Sequence, residues 1–308
     1  MKKISFKKLS AEVQSLLADI GSRADAGGFS VFLVGGMVRD ILLGRPSLDV
    51  DVVVEGDGLA FATMLGKAWK ARVLAHRKFG TAVVTRHDGV KVDVVTARRE
   101  TYAHPGILPD VIPGQLSDDL FRRDFTINAI AASLNARDFG VLRDDFDGIK
   151  DIEDGLVRIM NYRSFIDDPT RILRAVRYEK RFGFKCEQRT LAALREAIEE
   201  NAFRFISAVR YFNEFRRILQ EADPQPALRR LVALDSLRYF VYDDRTEARF
   251  RAVLRSPAGA DERWTSLFAA LILSLDRDSA EDLFVSFNMP REEKKLVLRA
   301  LDDYDTAR

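Results

Sequence analysis

Asp49 and Asp51 stand one residue apart in Asp49-Val50-Asp51-Val52-Val53-Val54. Period-2 alternation there predicts a strand with both carboxylates on one face and Val50 on the other. Two carboxylates so close repel each other, and a hard divalent cation removes that repulsion. Magnesium (Mg2+) accepts carboxylate and phosphate oxygens alike, so the pair points to a metal site for phosphoryl or nucleotidyl transfer. Asp93, alternating with Val92 and Val94, is a candidate third carboxylate for that face and reads equally as a plain strand-surface aspartate. Just upstream, Val31-Phe32-Leu33-Val34 runs into Gly35-Gly36 and then a helical Met37–Leu43, a strand, tight turn and helix. Glycine lets backbone approach a ligand, and the amides opening the helix, with Arg39 one turn in, favour a phosphate by hydrogen bonding and dipole. Either motif alone is also an ordinary turn or strand edge; their order and closeness give them meaning.

These residues need elements to hold them. Ser10–Ala26 carries Val13, Leu16, Leu17 and Ile20 at helical spacing, with Ser10 as N-cap and Gly27-Gly28 as stop. A helix is expected over Gly58–Lys70, then strands at Arg72–Ala75, Thr81–Arg86 and Lys91–Thr96, the last two joined through His87-Asp88-Gly89. Arg98–Leu116, with Pro105, Gly106, Pro109, Pro113 and Gly114, reads as a long loop without regular structure. Asp118–Ile130 reads as a helix. Its Arg122 and Arg123 would neutralise triphosphate charge if they lay beside the metal site, and would otherwise be a solvated salt-bridging face. Edge strands at 141–148 and 156–160 are expected to finish the first domain, residues 1–160.

From Asp167 the pattern turns helical, and residues 161–308 are expected to form a second domain. Asp167 and Asp168 occupy cap positions with Pro169 just inside, and Arg171, Arg174 and Arg177 follow at spacing three, on neighbouring turns of one face. Residues 158–181 hold seven Lys or Arg against three acids, a local +4. Arg204, Arg210, Arg216, Arg217, Arg229 and Arg230 extend this, interleaved with Phe203, Phe205, Tyr211, Phe212 and Phe215. A basic helical surface with aromatics suits a nucleic-acid backbone, although most of these aromatics also read as core.

Composition sets the outer bounds. The 308 residues are 47% hydrophobic and 31% charged, an ordinary soluble balance, and the net charge is only +2. Nucleic-acid binding must therefore be argued from local clusters. One cysteine, Cys186, excludes an intrachain disulfide, and His76, His87 and His104 lack zinc-ligand spacing. The basic N-terminus leads into an amphipathic segment rather than a signal peptide, and no apolar run is long enough to span a membrane, so a cytoplasmic location is expected.

With these residues in place, the chain resembles the class II tRNA nucleotidyltransferase and bacterial poly(A) polymerase family. The likeness covers about residues 31–190: LVGGMVRDILLGRPSLDVDVVVEGDG, Phe79-Gly80-Thr81, KVDVVTARRE, DLFRRDFTINAIA, Asp147-Gly148 and DDPTRILRAVRYEKRFGF. It implies an α+β fold: a polymerase-β-like head with a five-stranded mixed sheet, followed by an all-α neck and body. By carry-over, Gly36 with Gly35 and Arg39 would hold the triphosphate, Asp49 and Asp51 the magnesium ions, and Arg123, with Arg122 behind it, would contact the nucleotide. Asp168 and Arg171 would read the base, supported by Arg174 and Arg177.

That last assignment has a chemical logic. Cytosine and adenine present an amino donor beside an unprotonated ring nitrogen, whereas uracil and guanine reverse the order. A carboxylate and a guanidinium together accept the first pair and reject the second. The activity implied is addition of C and A residues to a tRNA 3′ end from CTP and ATP without a nucleic-acid template. A-only or CC-only addition, poly(A) synthesis, an antibiotic nucleotidyltransferase and an inactive RNA-binding scaffold are the alternatives. Asp167 replaces the family's frequent glutamate, and no Gly-Arg-Arg block of the poly(A) polymerases is found. The loop over Arg98–Leu116, shortened in CC-adding relatives, is present, and Glu100-Thr101-Tyr102 with Pro105–Pro109 resembles A-adding relatives. The C-terminal tail that grips the tRNA elbow in the family is expected to be reduced or absent.

Overall fold

The structure is a computed structural model that describes residues 2–45, 49–101, 103–107, 109–256 and 259–306. Pro46, Tyr102 and Leu108, used in the sequence reading, lie outside them. Two compact units result, residues 1–103 with 108–162 and residues 104–107 with 163–308.

In the first unit, strands β1 (Ser30–Val34), β2 (Val50–Glu55), β3 (Arg72–His76), β4 (Thr81–Thr85), β5 (Lys91–Thr96), β8 (Ala131–Ser133) and β9 (Leu142–Arg143) form one sheet in the order β3-β4-β5-β2-β1-β8-β9. The expected five strands are its larger part, and β8 and β9 bring it to seven. Of these, β8 escapes a sequence reading because three residues carry no alternation, while β9 lies within the edge strand expected at 141–148. Every pair is antiparallel except β2 with β5. Helices α1 (Ala11–Gly27), α2 (Gly36–Leu42) and α3 (Gly58–Trp69) pack on one face. Val50, Val52, Val54, Val92 and Val94 enter that core with Leu17, Ile20, Phe61 and Leu65. A smaller core on the other face joins Phe32, Val34 and Val53 to Leu116 and Leu120 of α4 (Leu116–Phe121).

Three expectations fail locally. Arg98–Leu116 is not featureless: β6 (Arg98–Thr101) and β7 (Asp110–Pro113) pair as a hairpin, with Pro105 and Gly106 in its connection and Pro113 at a strand end. Proline at the end of a two-stranded ribbon removes no interior ladder bond. The helix expected over Asp118–Ile130 stops at Phe121. Asp124 then accepts from the amide of Phe125 at 2.9 Å and from Asn128 Nδ2 at 2.8 Å, and a 3-10 turn over Thr126–Asn128 follows. A side chain that binds nearby backbone competes with the helix ladder. The edge strand expected at 141–148 shrinks to β9, because Asp144 instead accepts from the amides of Gly148 and Ile149 and opens α5 (Gly148–Asp154). Of 156–160, Leu156–Val157 is strand and Ile159 bridges to Phe125.

The second unit is almost entirely helical: α6 (Ser164–Asp167), α7 (Thr170–Phe182), α8 (Gln188–Glu199), a 3-10 turn over Ala202–Phe205, α9 (Ala208–Leu219), α10 (Gln225–Ala233), α11 (Asp244–Arg255), α12 (Ala260–Ile272), α13 (Arg277–Ser286) and α14 (Arg291–Thr306). Its core is aromatic. Phe212 stacks on Phe287 at 4.4 Å, and Phe215 on Phe240 at 4.8 Å. Among the described residues no helix is long and apolar enough to cross a membrane.

Candidate active site

The parallel pairing of β2 with β5 decides the carboxylate geometry. Val50 faces Val92 in the core, so the next pair, Asp51 and Asp93, meets directly across the strands on the opposite face. Asp49 shares that face by period 2. Their mutual repulsion is visible in their acidities. Burial, then Asp93, pushes the Asp51 carboxyl up to about 6, with Arg123 pulling it down and Asp49 raising it further. Asp93 is raised by burial and then by Asp49. The register places Asp93 on the same face as Asp49 and Asp51. Asp49 and Asp93 border an open groove of about 1010 Å³ beside α1 and the β4–β5 turn. Among the described residues, no group of three or more His, Cys, Asp or Glu side chains is placed to hold a metal ion by itself. Crowded, incomplete and oxygen-only, this donor set fits a magnesium ion that takes its other ligands from phosphate and water.

The glycine turn lies beside these carboxylates. Gly35 adopts φ +70°, a conformation that favours glycine, and a Cβ there would stand 2.7 Å from Arg123 Nη1 and displace it. A Cβ on Gly36 would stand 3.5 Å from Arg39 Nη2. Two guanidinium groups thus converge on the turn. Arg39 is buried, donating from Nε to Asp40 Oδ1 at 2.8 Å and from Nη1 to Asn128 Oδ1, and Asn128 is held in turn by Asp124. Arg123 donates from Nη2 to Asp119 Oδ2 at 3.0 Å, and its buried Nε has no hydrogen-bond partner among the described residues. An unpartnered charged donor is costly in a fold that gains nothing from it, and is natural where an anion is to be received. Arg122 is held differently: Asp119 Oδ1 accepts from its Nε and Nη2 at 2.9 and 2.6 Å, and Glu100 Oε1 from its Nη1 at 3.0 Å. Fully buried Asp119 therefore aligns both arginines, a role the sequence reading missed although its spacing of three and four residues was available.

The second unit holds the remaining candidates. Asp168 Oδ1 accepts three hydrogen bonds, from Thr170 N at 3.1 Å, Thr170 Oγ1 at 2.7 Å and Arg210 Nη2 at 3.0 Å, and Oδ2 makes none of them. Arg171 is buried and donates from Nη1 to Ser164 Oγ at 2.6 Å, with Asp167 near enough for its charge to lower the pKa that burial raises. Arg174 and Arg177 lie over the ring of Tyr178, at 5.4 and 5.1 Å, and beside Glu214, at 3.5 and 4.0 Å. Glu214 escaped the sequence reading, and Arg210 was read only as part of a basic surface, not as the partner of Asp168. Each acts on a partner some forty residues away, beyond any local pattern.

A glycine turn with two arginines, set beside paired carboxylates on a mixed sheet, defines a polymerase-β-like nucleotidyltransferase head. Family models agree: residues 31–158 match the poly A polymerase head domain, and residues 183–241 match the probable RNA and SrmB-binding site of polymerase A. An A-adding tRNA nucleotidyltransferase of Geobacter sulfurreducens is 42% identical over 230 residues, 75% of this chain and 26% of that protein. The structure of a CCA-adding enzyme in apo form II superposes with a TM-score of 0.80 at 33% identity, covering 96% of this chain and 72% of the other. A Thermotoga maritima CCA-adding enzyme complexed with tRNA(CCA) gives a TM-score of 0.78 at 30% identity, covering 96% and 71%. The chain belongs to the class II tRNA nucleotidyltransferase family. It spans between 23% and 51% of the length of the curated A-adding relatives it matches.

Proposed function

We propose that this chain extends the 3′ end of tRNA by template-independent nucleotidyl transfer, and that its particular reaction is addition of the terminal A from ATP. The observation that carries the chemistry is the in-register Asp51 and Asp93 with Asp49 beside them, next to Arg123 on the Gly35 turn. The choice of A rests on the A-adding relative, nearer in sequence at 42% than the CCA-adding structures at 33% and 30%, and on the Glu100-Thr101-Tyr102 and Pro105–Pro109 pattern. Complete CCA addition from CTP and ATP is the second reading, favoured by likeness to CCA-adding enzymes over 96% of the chain.

In this reading the tRNA 3′-hydroxyl attacks the α-phosphorus in line and pyrophosphate leaves. Asp49 and Asp51, with Asp93 alongside, would hold magnesium, which supplies acidity at the attacking hydroxyl and charge neutralisation at the leaving group. Arg123 offers its unpartnered Nε, and the Gly35-Gly36 turn its close backbone approach, to the triphosphate. Arg39, fixed by Asp40 and Asn128, adds positive charge without needing to reorganise. Asp168 presents Oδ2 to the exocyclic amino group and Arg171 donates to the ring nitrogen, so uracil and guanine leave both groups unpaired.

The test uses tRNA transcripts ending before CCA, after C and after CC, each incubated with magnesium and CTP, ATP or both. Addition of a single A to the CC-ending transcript alone is expected. Extension of the shortest transcript to CCA would establish the second reading, and no extension of any transcript by the folded protein would overturn both.

A further inference from the structure

Most of the arginines that make the helical unit look basic are already neutralised. Arg210 pairs with Asp168, Arg216 with Glu293, Arg217 with Glu214, Arg229 with Glu247 and Arg230 with Glu179. Arg204 and Arg238 differ. Among the described residues neither has an ion-pair partner, and each lies instead over an aromatic ring. Arg204 covers Phe205 at 4.6 Å, and Arg238 reaches both Tyr239 and Phe203 at 5.9 Å. While Phe203, Tyr211, Phe212 and Phe215 are buried, Phe205 keeps 38% of its surface exposed and Tyr239 43%.

The two exposed rings are held rigidly. Tyr211 accepts from the amide of Arg238 at 3.0 Å and donates to the carbonyl of Ser236 at 3.3 Å, clamping the segment after α10. Tyr239 itself adopts φ +66°, a left-handed conformation costly for a bulky residue and kept only where the surroundings impose it. Phe205 is connected to Asp168 only indirectly, through its backbone. A Cβ on Gly106 would stand 2.2 Å from the Phe205 carbonyl oxygen, the carbonyl of Gly106 accepts from Arg210, and Arg210 donates to Asp168.

We infer that Phe205 with Arg204, and Tyr239 with Arg238, form a stacking platform for the unpaired 3′-terminal nucleotides of the RNA acceptor, the rings taking bases and the arginines phosphates. Exposed aromatics backed by unpaired arginines are the chemistry that single-stranded nucleic acid requires. The backbone connection of Phe205 through Gly106 and Arg210 to Asp168 says why the strand's end is meant rather than any stretch of RNA. This assignment rests on the tRNA-extending reading above.

The test is a CC-ending tRNA transcript with 2-aminopurine as its 3′-terminal base, whose fluorescence falls on stacking. Wild-type protein should quench it on binding. Phe205→Ala should lose most of the quenching and bind about tenfold more weakly, with KM for ATP unchanged, while Phe205→Trp should retain both. Arg204→Gln, at an exposed position, should lower the salt dependence of binding by about one phosphate and serves if Phe205→Ala does not fold. Wild-type quenching and affinity in folded Phe205→Ala would overturn the platform, as would an unchanged salt dependence in Arg204→Gln where it stands in. Quenching by a wild-type protein that extends no transcript would keep the platform and overturn the activity instead.

Discussion

Asp51 illustrates a residue whose function opposes its fold. Its carboxyl binds a proton more tightly folded than unfolded, with a pKa of about 6 against an ordinary 3.8. Stability from this group is therefore full below about pH 4, falls as pH rises through that window, and is lost above about 6, an amount of roughly 3 kcal/mol. Asp51→Asn should raise the melting temperature at pH 8 without magnesium, with the gain vanishing near pH 4; thermal melts across pH check this. Magnesium should stabilise the native protein and not the variant, since a ligand stabilises only what binds it. Asp49 is exposed, so Asp49→Ala should leave the melting curve nearly unchanged while lowering turnover by about a thousandfold or more. Near-native activity in that variant would remove Asp49 from the metal site. In Arg171→Ala, discrimination of ATP against GTP should fall by about a hundredfold, more than affinity for triphosphate falls; unchanged discrimination in single-turnover assays would exclude base reading by this side chain.

At the scale of elements, α4 and the turn after it exist to aim arginines. Asp119, with no exposed surface, holds Arg122 through one oxygen and Arg123 through the other. Breaking a buried pair strands the opposite charges, so Asp119→Ala should cost about 3–5 kcal/mol by denaturant unfolding and weaken ATP binding in whatever folds. What could be read beforehand follows from range. Alternating valines in β2 and β5 and the Asp88-Gly89 turn are local signals, so Asp49, Asp51 and their strands were legible, and Asp93 was legible as one of two readings. The parallel register that sets Asp93 against Asp51 is a long-range pairing and was not. Likewise the hairpin over Arg98–Pro113 was hidden by prolines that turn out to sit in its connection, Pro105 and Pro109, and at a strand end, Pro113. The expected helix over Asp118–Ile130 overran because the side chain of Asp124 diverts the backbone. Asp168 was legible as a cap, yet the arginine that saturates its Oδ1 comes from α9, out of reach of any local pattern.

Across the whole molecule the charges nearly cancel, with 49 Lys and Arg against 47 Asp and Glu. Such a protein has no broad positive field to draw in RNA, and the arginines of α9 and α10 are tied to glutamates or aspartates. In the proposed tRNA-extending reading, with those ion pairs closed, the phosphate contacts expected are those of Arg204, Arg238 and one or two more. Each neutralised phosphate adds about 0.7–0.9 to the slope of log affinity against log salt. Three or four contacts give a slope near −3 and a loss of roughly fiftyfold between 50 and 200 mM salt, which a fluorescence titration can resolve. A slope near −10, as expected of a broadly basic surface, would mean that the ion pairs of α9 and α10 open on binding and release their arginines to the backbone. A slope near zero would instead place nearly all the affinity in base stacking and hydrogen bonds, and Phe205→Ala would then cost far more than tenfold.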